Sequence, residues 1–544
     1  MLRRATVVAG SVVSAVGLGG LYFFEGGGLD VAQTTPARKV SADSKTAATS
    51  KPTAIVIGGG AVGTSTAYVL ARRGYQVHVL DAGDESLFHA ASYGNAQSLG
   101  LDNYHTMARW DFVRNFIGSM AEGYLRRFRE NIGIGAVGGD GDGDTQWNQF
   151  CQHKFIDAGV LTDLGFWRWA ACYCRSVVDT RAHKAQDNNW EPRIAGMREA
   201  LFSLARDAGI YEASDFNIGG KLLAHLSKLQ KPSHNRSKPP TDPKPPQELG
   251  YWPEMLRDAV ETARIESAHF RSDFAQGDSL RFCAELRRKL LEMDPGNKFS
   301  FGRTVASITV DKATGHVSGV VETNGDSHEA DVVLVCSGAH SGKLLAGVGV
   351  TAPVYPLRGY SITAPVRKEG DSMGDYGNTK SSDRLRALDQ PQPYCVVAPF
   401  TLYVTPMSNP RRIRFTNFGE LAPEFPRDAR RMGNPGGDPK LFQRLEAMVR
   451  HVCPSVDSVL DMSDAVEWVG ERPLTPDCYP IVGACRIPGL FINTGHSFNG
   501  WRDCAYTAQL AAECVEEGNN SPLRKREVEM LFSLERFKFI RSIE

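Results

Sequence analysis

A β-α-β pattern near the start of the chain limits its fold more than any other feature. Its parts are an apolar strand at residues 54–57, a G-x-G-x-x-G motif at 58–63, a helical stretch at 64–73 and a second apolar strand at 76–80. Gly58 permits a tight turn, Gly60 lets the backbone approach a pyrophosphate, and Gly63 allows the helix to pack closely on the strand. The spacing predicts a dinucleotide site in which Asp81 binds a ribose. The motif alone leaves NAD and FAD as alternatives.

Length and charge restrict the remaining choices. A chain of 544 residues exceeds the size of one simple core and predicts two or more domains. Its apolar content of 42% and charged content of 23% are typical of a soluble globular protein. Lys plus Arg and Asp plus Glu balance at 62 each, so no strong positive field favours nucleic acid. We therefore expect no nucleic-acid partner.

The N-terminus differs from the rest of the chain. Residues 6–24 carry no charge and follow Arg3 and Arg4, and a helix of that length just crosses a bilayer. The segment is read as a retained membrane anchor, a cleaved signal sequence or the start of a mitochondrial targeting segment. We exclude residues 1–51 from the fold as a targeting or anchor segment with its linker.

The middle of the chain carries two insertions and no second nucleotide motif. A Gly/Asp run lies within residues 131–150 and a proline-rich basic run within residues 228–250, and both are predicted to be surface loops. The Gly/Asp run lacks a full calcium-ligand pattern, so no metal site is predicted. Disulfide reductases of the flavin type use a second nucleotide motif and a redox Cys pair, and the sequence shows neither.

Five further segments match one family, in the family's order. They are SYGNA at 92–96, QGD at 276–278, VYPLRGYS at 354–361, GERPLTPD at 470–477 with PIVG at 480–483, and NTGH with GW at 493–501. Together with the β-α-β unit, they resemble the FAD-dependent D-amino-acid oxidase superfamily. Within it, the chain is most similar to the small subunit of bacterial D-amino-acid dehydrogenases. The resemblance covers residues 53–537, with breaks at about 130–260.

The resemblance implies an α/β fold with two discontinuous domains. One is a Rossmann-like FAD-binding domain of the glutathione-reductase type, and the other is a substrate or cap domain built on an antiparallel sheet. The FAD-binding domain is expected at residues 52–105, 265–345 and 465–520. The substrate domain is expected at residues 106–264 and 346–464, and residues 521–544 form a C-terminal segment.

The resemblance also implies a site. Arg472 is expected to anchor a substrate carboxylate, because a guanidinium offers a planar fork of donors. Tyr360 is expected to close the pocket or bond the substrate, with a core tyrosine as the alternative. The loop from Gly495 to Gly500 would offer N–H groups to the flavin O2 side, where negative charge develops on reduction. The residues expected at the cofactor are Gly58, Gly60, Ala61, Val62, Gly63, Asp81, Ala82, Ser92, Asn95, Ala96, Val305, Ser337, Gly338, Gly470, Gly495, His496, Gly500 and Trp501.

The activity implied is an FAD-dependent oxidation of an amino acid, with the D enantiomer favoured, to a 2-oxo acid and ammonia. A hydride would pass from the α-carbon to flavin N5, and the electrons would pass to a quinone or similar carrier. Two alternatives remain: oxidation of a 2-hydroxy acid or a secondary amine of the sarcosine or proline type, and a flavoprotein acting in mitochondrial respiratory-complex assembly. The location implied is mitochondrial, anchored in the inner membrane through residues 6–24, or associated with a cytoplasmic membrane.

The sequence departs from the family near the expected flavin. Arg502 follows Trp501 where a small polar residue is usual, and Asn499 stands where relatives have a small or apolar one. Cys478 and Tyr479 replace the usual Gly-x after the aspartate of the GERPLTPD segment.

Overall fold

A computed structural model describes most of the chain. It covers residues 51–101, 154–178, 191–226, 253–262, 264–368, 384–388, 392–408, 410–425, 436–517 and 532–537. The apolar segment at 6–24 and the insertions at 131–150 and 228–250 lie outside these ranges. Within them, no helix combines the length and the apolar character needed to cross a bilayer.

Strands and helices alternate in the first part of the chain, and strands dominate its second half. The strands are β1 Thr53–Ile57, β2 Gln76–Leu80, β3 Lys154–Ile156, β4 Lys221–Leu226, β5 Ile265–Arg271, β6 Lys298–Ser300, β7 Val305–Val310, β8 Val317–Glu322, β9 Ser327–Glu329, β10 Val332–Val335, β11 Tyr355–Pro365, β12 Tyr394–Ala398, β13 Leu402–Ser408, β14 Arg411–Leu421, β15 Val466–Leu474, β16 Ile481–Ala484 and β17 Leu490–Thr494. The helices are α1 Ala61–Arg72, α2 Leu164–Val178, α3 Glu191–Asp207, α4 Arg257–Glu261, α5 Ser279–Met293, α6 Ser341–Ala346, α7 Pro439–Val452 and α8 Gly500–Glu517.

A six-stranded sheet forms the centre of the nucleotide-type domain. Its order is β16-β17-β10-β1-β2-β6, and every pair is parallel except β16 with β17. Helices α1, α3, α5 and α8 pack into one hydrophobic cluster with residues of this sheet. Because α1 connects the adjacent parallel strands β1 and β2, the predicted β-α-β unit is confirmed.

An eight-stranded sheet forms the second domain. Its order is β15-β11-β14-β13-β12-β4-β5, with β3 added beside β14, and most of its pairs are antiparallel. Strands β12 and β4 pair in parallel. Helix α7 covers one face and shares a core with it. The α/β class with a largely antiparallel second sheet is therefore confirmed.

Two strands belong to the second sheet although the predicted boundaries put them with the FAD-binding domain. Strand β5 pairs with β4, and β15 pairs with β11. A strand's local sequence shows that it is a strand but not which distant strand it will pair with. The predicted domain boundaries at residues 265 and 465 are therefore each misplaced by one strand, because β5 and β15 belong to the second sheet.

The QGD segment begins a helix, as its sequence indicates. The Asp278 carboxylate accepts hydrogen bonds from the amides of Leu280 at 3.0 Å and Arg281 at 3.1 Å, which makes it the N-cap of α5. One turn later, Phe282 is fully buried in the helix cluster. This helix packs against α1 and fixes its orientation over the parallel sheet.

A loop at residues 88–98 joins the two domains. The Trp468 indole on β15 donates to the Phe88 carbonyl at 2.7 Å, and Arg414 on β14 donates to the Asn95 carbonyl at 3.1 Å. The Thr405 hydroxyl on β13 donates to the Ala96 carbonyl at 2.9 Å. The face of the second sheet opposite α7 is thereby turned toward the nucleotide-type domain.

A buried histidine stabilises the connection from β17 to α8. His496 is buried, and its Nε2 lies 3.0 Å from the Thr507 hydroxyl on α8. Burial lowers the pKa of His496 to about 4, so the ring stays neutral at neutral pH. The histidine therefore ties the loop to the helix that follows it.

We predict opposite effects for two glycine-to-alanine changes in helices. A Cβ on Gly63 would overlap the Gly58 carbonyl oxygen, whereas a Cβ on Gly196 in α3 meets nothing within 4 Å. Gly63→Ala is expected to lower the free energy of unfolding by more than about 2 kcal/mol. Gly196→Ala is expected to raise it by about 0.5–1 kcal/mol. Urea unfolding of both variants measures this, and a neutral Gly63→Ala would contradict the close packing.

We predict that His496 makes the protein less stable in mild acid. Since its folded pKa of about 4 lies below the ordinary value of 6.5, the unfolded chain binds a proton in this window that the folded chain does not. The free energy of unfolding then falls as the pH is lowered from 6.5 to 4, by about 3 kcal/mol from this residue. His496→Gln should flatten the profile measured by urea unfolding, and His316→Gln, on the surface, should not. Equal slopes for wild type and His496→Gln would refute this.

Candidate active site

The glycine turn after β1 has the conformation that its sequence requires. Gly58 has a φ of 102°, and a Cβ there would lie 2.7 Å from the Cys336 carbonyl oxygen. Only glycine adopts this backbone without strain. Together with the close contact between Gly63 and Gly58, the turn places the start of α1 directly over the ends of β1 and β10.

Gly60 leaves space where a phosphate would lie. It is the N-cap of α1, and a Cβ on it would meet only the Ser92 hydroxyl at 3.4 Å and the Ala90 Cβ at 4.0 Å. The amide of Ala61 donates to the same Ser92 hydroxyl at 3.0 Å. A side chain at position 60 would fill this gap. The gap lies at a helix N-terminus, where backbone N–H groups and the helix dipole favour an anion.

A second helix N-terminus meets the first. Helix α8 begins at Gly500, and a Cβ on Gly500 would lie 3.9 Å from a methyl group of Val62 in the first turn of α1. Gly495, at the end of β17, has a φ of 74° that lets the chain turn into this helix. Two positive helix ends therefore border one space, which suits a pyrophosphate at α1 and a developing negative charge at α8.

Asp81 is held as a carboxylate. Its oxygens accept hydrogen bonds from the amides of Gly59 at 2.5 Å and Gly83 at 2.9 Å, and from His89 Nε2 at 2.9 Å. Burial alone would raise the pKa of Asp81, but these three donors hold it below its ordinary value. A carboxylate offers about four acceptor positions, so one remains for a ribose hydroxyl. Ala82 follows on the surface.

The end of β10 borders the same turn. Gly338 has a φ of 58°, and its carbonyl accepts a hydrogen bond from the Thr494 hydroxyl at 3.1 Å. The Ser337 Cα lies 3.0 Å from the position of a Cβ on Gly58. Val305 lies at the Asp81 side of the turn, because the amide of Arg303 donates to the Asp81 carbonyl at 2.8 Å. Ser337, Gly338 and Val305 therefore lie around the glycine turn and Asp81, and their contact with the cofactor stays a prediction.

Several residues predicted at the cofactor have contacts that are structural. The Asn95 side chain lies 3.2 Å from the Ser279 hydroxyl and accepts the amide of Gln97 at 2.7 Å, which fixes its own loop. Trp501 is buried between aromatic rings of the helix cluster and stacks on Phe216 at 5.9 Å. Gly470 lies under the Trp468 ring, where a Cβ would overlap it.

Arg472 lies on β15, an edge strand of the second sheet, and on the sheet's inner face. Its guanidinium lies over Gly359, where any Cβ would overlap it, and Nη1 donates to the Phe418 carbonyl at 3.3 Å. Burial lowers the pKa of Arg472, and the neighbouring Tyr403 phenol partly offsets this. Among the described residues, no carboxylate lies within ion-pair distance of it. A half-buried guanidinium without a counter-ion among the described residues favours binding of an anion.

The two carboxylates nearest to Arg472 in sequence and in strand register, Glu471 and Glu420, contact groups other than its guanidinium. Glu471 Oε1 accepts the amide of Phe425 at 2.7 Å, and Oε2 lies 3.6 Å from His340. Glu420 accepts a hydrogen bond from the Tyr360 hydroxyl at 2.6 Å and lies 3.6 Å from Arg358. Both side chains therefore make these contacts on the face of the sheet opposite the Arg472 guanidinium.

Tyr360 lies on the opposite face from Arg472. It is fully buried, packs against Phe442 of α7 at 5.1 Å and accepts the amide of Asp438 at 3.1 Å. Burial and the nearby Glu420 raise the pKa of Tyr360. Tyr360 is therefore a core tyrosine, which was the alternative to a substrate contact, and it lies on the face of the sheet away from the Arg472 guanidinium. Adjacent strand residues point to opposite faces, so Gly359 faces the site and Tyr360 does not.

Sequence reasoning did not identify two side chains that lie beside Arg472. Tyr403 on β13 is close enough to affect the Arg472 guanidinium electrostatically, and Phe498 is 49% exposed with its ring centroid 5.8 Å from that guanidinium. The alternation along β13 could have drawn attention to Tyr403. For Phe498, the only sequence feature that could have identified it was its position inside the glycine-bounded loop at residues 495–500.

Protein contacts explain Arg502, and backbone conformation distinguishes Cys478, among the unusual residues near the expected flavin. Arg502 is buried, pairs with Asp503 at 2.8 Å and donates to the Gly100 carbonyl at 3.1 Å. Asp477 binds Arg536 of the C-terminal segment at 2.6 Å. Cys478 has a φ of 66°, the conformation that a glycine adopts without strain. The loop that follows Arg472 is thus held by the C-terminal segment.

The residues present fit FAD. The space over Gly60 accepts a pyrophosphate, Asp81 retains an acceptor for a ribose, and the α8 N-terminus borders the side where the isoalloxazine ring would lie. Arg472 lies on the facing sheet. This arrangement can hold a carboxylate-bearing substrate between the cofactor domain and the second sheet.

Solved structures share this fold. They include glycine oxidase from Geobacillus kaustophilus, with 16% identity, a TM-score of 0.51 and coverage of 86% of this chain and 96% of that one. L-amino acid deaminase from Proteus myxofaciens has 14% identity, a TM-score of 0.51 and coverage of 93% and 98%. Fructosamine oxidase from Aspergillus fumigatus has 14% identity, a TM-score of 0.54 and coverage of 91% and 92%. At these identities, the similarity shows the fold.

The family assignment rests on the sequence match. Residues 53–137 and 204–514 match the DAO family, described as FAD dependent oxidoreductase. The match spans the glycine turn, the α5 N-cap, Arg472 and the β17–α8 loop. It confirms the superfamily and the cofactor expected from the sequence, while the narrower likeness to the D-amino-acid dehydrogenase small subunit stays a prediction. This chain belongs to the DAO family of FAD-dependent oxidoreductases.

Proposed function

We propose that the protein catalyses the FAD-dependent oxidative deamination of an amino acid to a 2-oxo acid and ammonia. The observation that carries this proposal is the Arg472 guanidinium, which lies over Gly359 without a carboxylate partner among the described residues. An amino acid's carboxylate supplies the missing charge. The family's cofactor supplies the oxidising chemistry.

The chain's own residues hold and orient the substrate. The Arg472 fork binds both carboxylate oxygens and fixes the rotation of the substrate, because two parallel hydrogen bonds allow one orientation. The Tyr403 phenol lies close enough to affect this guanidinium electrostatically and borders the same site. The family's cofactor would supply a hydride acceptor for the substrate α-carbon. The N-terminus of α8 would stabilise the negative charge that develops on that acceptor.

The amine is proposed to lose its proton to solvent before oxidation. The mouth of the site is open to water, since Phe498 beside Arg472 is 49% exposed. His496, the histidine closest in sequence to this mouth, is neutral and directed toward Thr507 in the interior. We therefore assign no general base.

Three finer features are part of the proposal. Preference for the D enantiomer rests on the motif resemblance. Transfer of the electrons to a quinone or similar carrier, and a mitochondrial inner-membrane location, rest on the apolar segment at residues 6–24.

The test is an anaerobic reduction screen. Purified flavoprotein is mixed with D- and L-amino acids, glycine, secondary amines and 2-hydroxy acids, and the flavin absorbance is followed. Bleaching by a primary amino acid with release of ammonia supports the proposal, and the enantiomer that reacts decides the stereochemistry. Bleaching only by hydroxy acids or secondary amines, or by none, would reject it.

Substitution of Arg472 should separate substrate binding from cofactor binding. Arg472→Ala is expected to raise the substrate Kd in the reductive half-reaction by about 100-fold with the FAD content unchanged, because it removes a desolvated charge partner. Arg472→Lys should recover only part of the affinity, since an ammonium lacks the fork. Arg288→Ala, on the surface of α5, is the control. Loss of FAD from Arg472→Ala would show that the residue is structural.

A further inference from the structure

We propose that Phe498 selects the substrate by its side chain, so that the site favours amino acids with apolar or aromatic side chains larger than a methyl group. The inference rests on the proposed function and concerns the same site. Phe498 is 49% exposed, and its ring centroid lies 5.8 Å from the Arg472 guanidinium carbon. An anchored carboxylate therefore brings the rest of the substrate next to a phenyl ring.

The loop that carries Phe498 is fixed to the strand that carries Arg472. The amide of Ser497 donates to the Pro473 carbonyl at 3.0 Å, and the amide of Thr475 donates to the Ser497 hydroxyl at 3.2 Å. On the other side, the amide of Asn499 donates to the His496 carbonyl at 2.9 Å. The ring is thus displayed at a set position relative to Arg472.

An exposed phenyl ring at this position is a contact surface for substrate. Removing apolar area from water is favourable in proportion to the area, and about half of Phe498 remains to be covered. When a carboxylate pairs with Arg472, the exposed part of the ring offers an apolar surface beside the substrate side chain. The quadrupole of the ring also attracts the guanidinium, which keeps the two groups together.

The consequence is a graded preference. Leucine, methionine and phenylalanine would cover the ring, alanine would cover little of it, and glycine none. A hydrophobic contact of this kind discriminates by about tenfold to a hundredfold between a methyl group and a larger side chain. A charged side chain would lose hydration against the ring and be disfavoured.

The first experiment measures the rate of anaerobic flavin reduction by a series of amino acids, all of the enantiomer that reacts with the wild type. Phe498→Ala is expected to lower the rate constant divided by Kd about tenfold for leucine and phenylalanine, and by less than about twofold for alanine. Phe498→Leu should retain most of the preference for leucine. Phe270→Ala, a similarly exposed phenylalanine at 45% on β5, is the matched control and should change nothing.

The second experiment measures binding without turnover. Benzoate and acetate are titrated into the oxidised flavoprotein, and the perturbation of the flavin spectrum gives each Kd. Phe498→Ala should weaken benzoate about tenfold and leave acetate unchanged, whereas Arg472→Ala should weaken both.

The outcomes separate this inference from the proposed function. If no amino acid reduces the wild-type flavin, the proposed function fails, and the benzoate-to-acetate ratio still tests Phe498. If amino acids reduce the flavin but Phe498→Ala affects alanine and leucine equally, the inference fails and the proposed function stands. A benzoate-to-acetate ratio that Phe498→Ala leaves unchanged would also overturn the inference.

Discussion

The close packing of α1 on β1 is the constraint on which the rest of the site depends. It is possible only because Gly63 presents no side chain to the Gly58 carbonyl oxygen. This contact lowers the helix N-terminus onto the carboxyl ends of β1 and β10. Strand β17 lies parallel to β10, so the helix that follows it arrives at the same edge of the sheet. Two helix N-termini then meet at one space, which neither helix could form alone.

The second sheet contributes an unbalanced charge to that space. Gly359 and Gly470 are register partners on β11 and β15, and the absence of a side chain at Gly359 gives the Arg472 guanidinium its position. The left-handed backbone at Phe418, with a φ of 66°, turns a carbonyl rather than a carboxylate toward it. A neutral acceptor orients the guanidinium and leaves its charge uncompensated by any side chain in the described ranges, which is the condition that the proposed binding of an anionic substrate requires.

Local features of this protein could be read from its sequence, and distant pairings could not. The glycine turn and the Asp278 cap depend on residues a few positions apart, so spacing alone identified them, and motif resemblance identified Arg472. The face on which Tyr360 lies depends on the pairing of β11, whose register with β14 shifts between Arg358 and Tyr360. That shift is invisible in the sequence. The same holds for Tyr403, which reaches Arg472 only through the order β13-β14-β11-β15.

The two halves of the site are joined by hydrogen bonds as well as by domain packing. The amide of Ser497 donates to the Pro473 carbonyl, and the amide of Thr475 donates to the Ser497 hydroxyl, so Arg472 and the N-terminus of α8 belong to one frame. The Arg536 contact with Asp477 closes this frame from the C-terminal segment. In the proposed reaction, a substrate held by Arg472 would have its α-carbon placed relative to α8 by this frame. The proposed selection by Phe498 depends on the same frame, because the ring belongs to the loop that these hydrogen bonds fix.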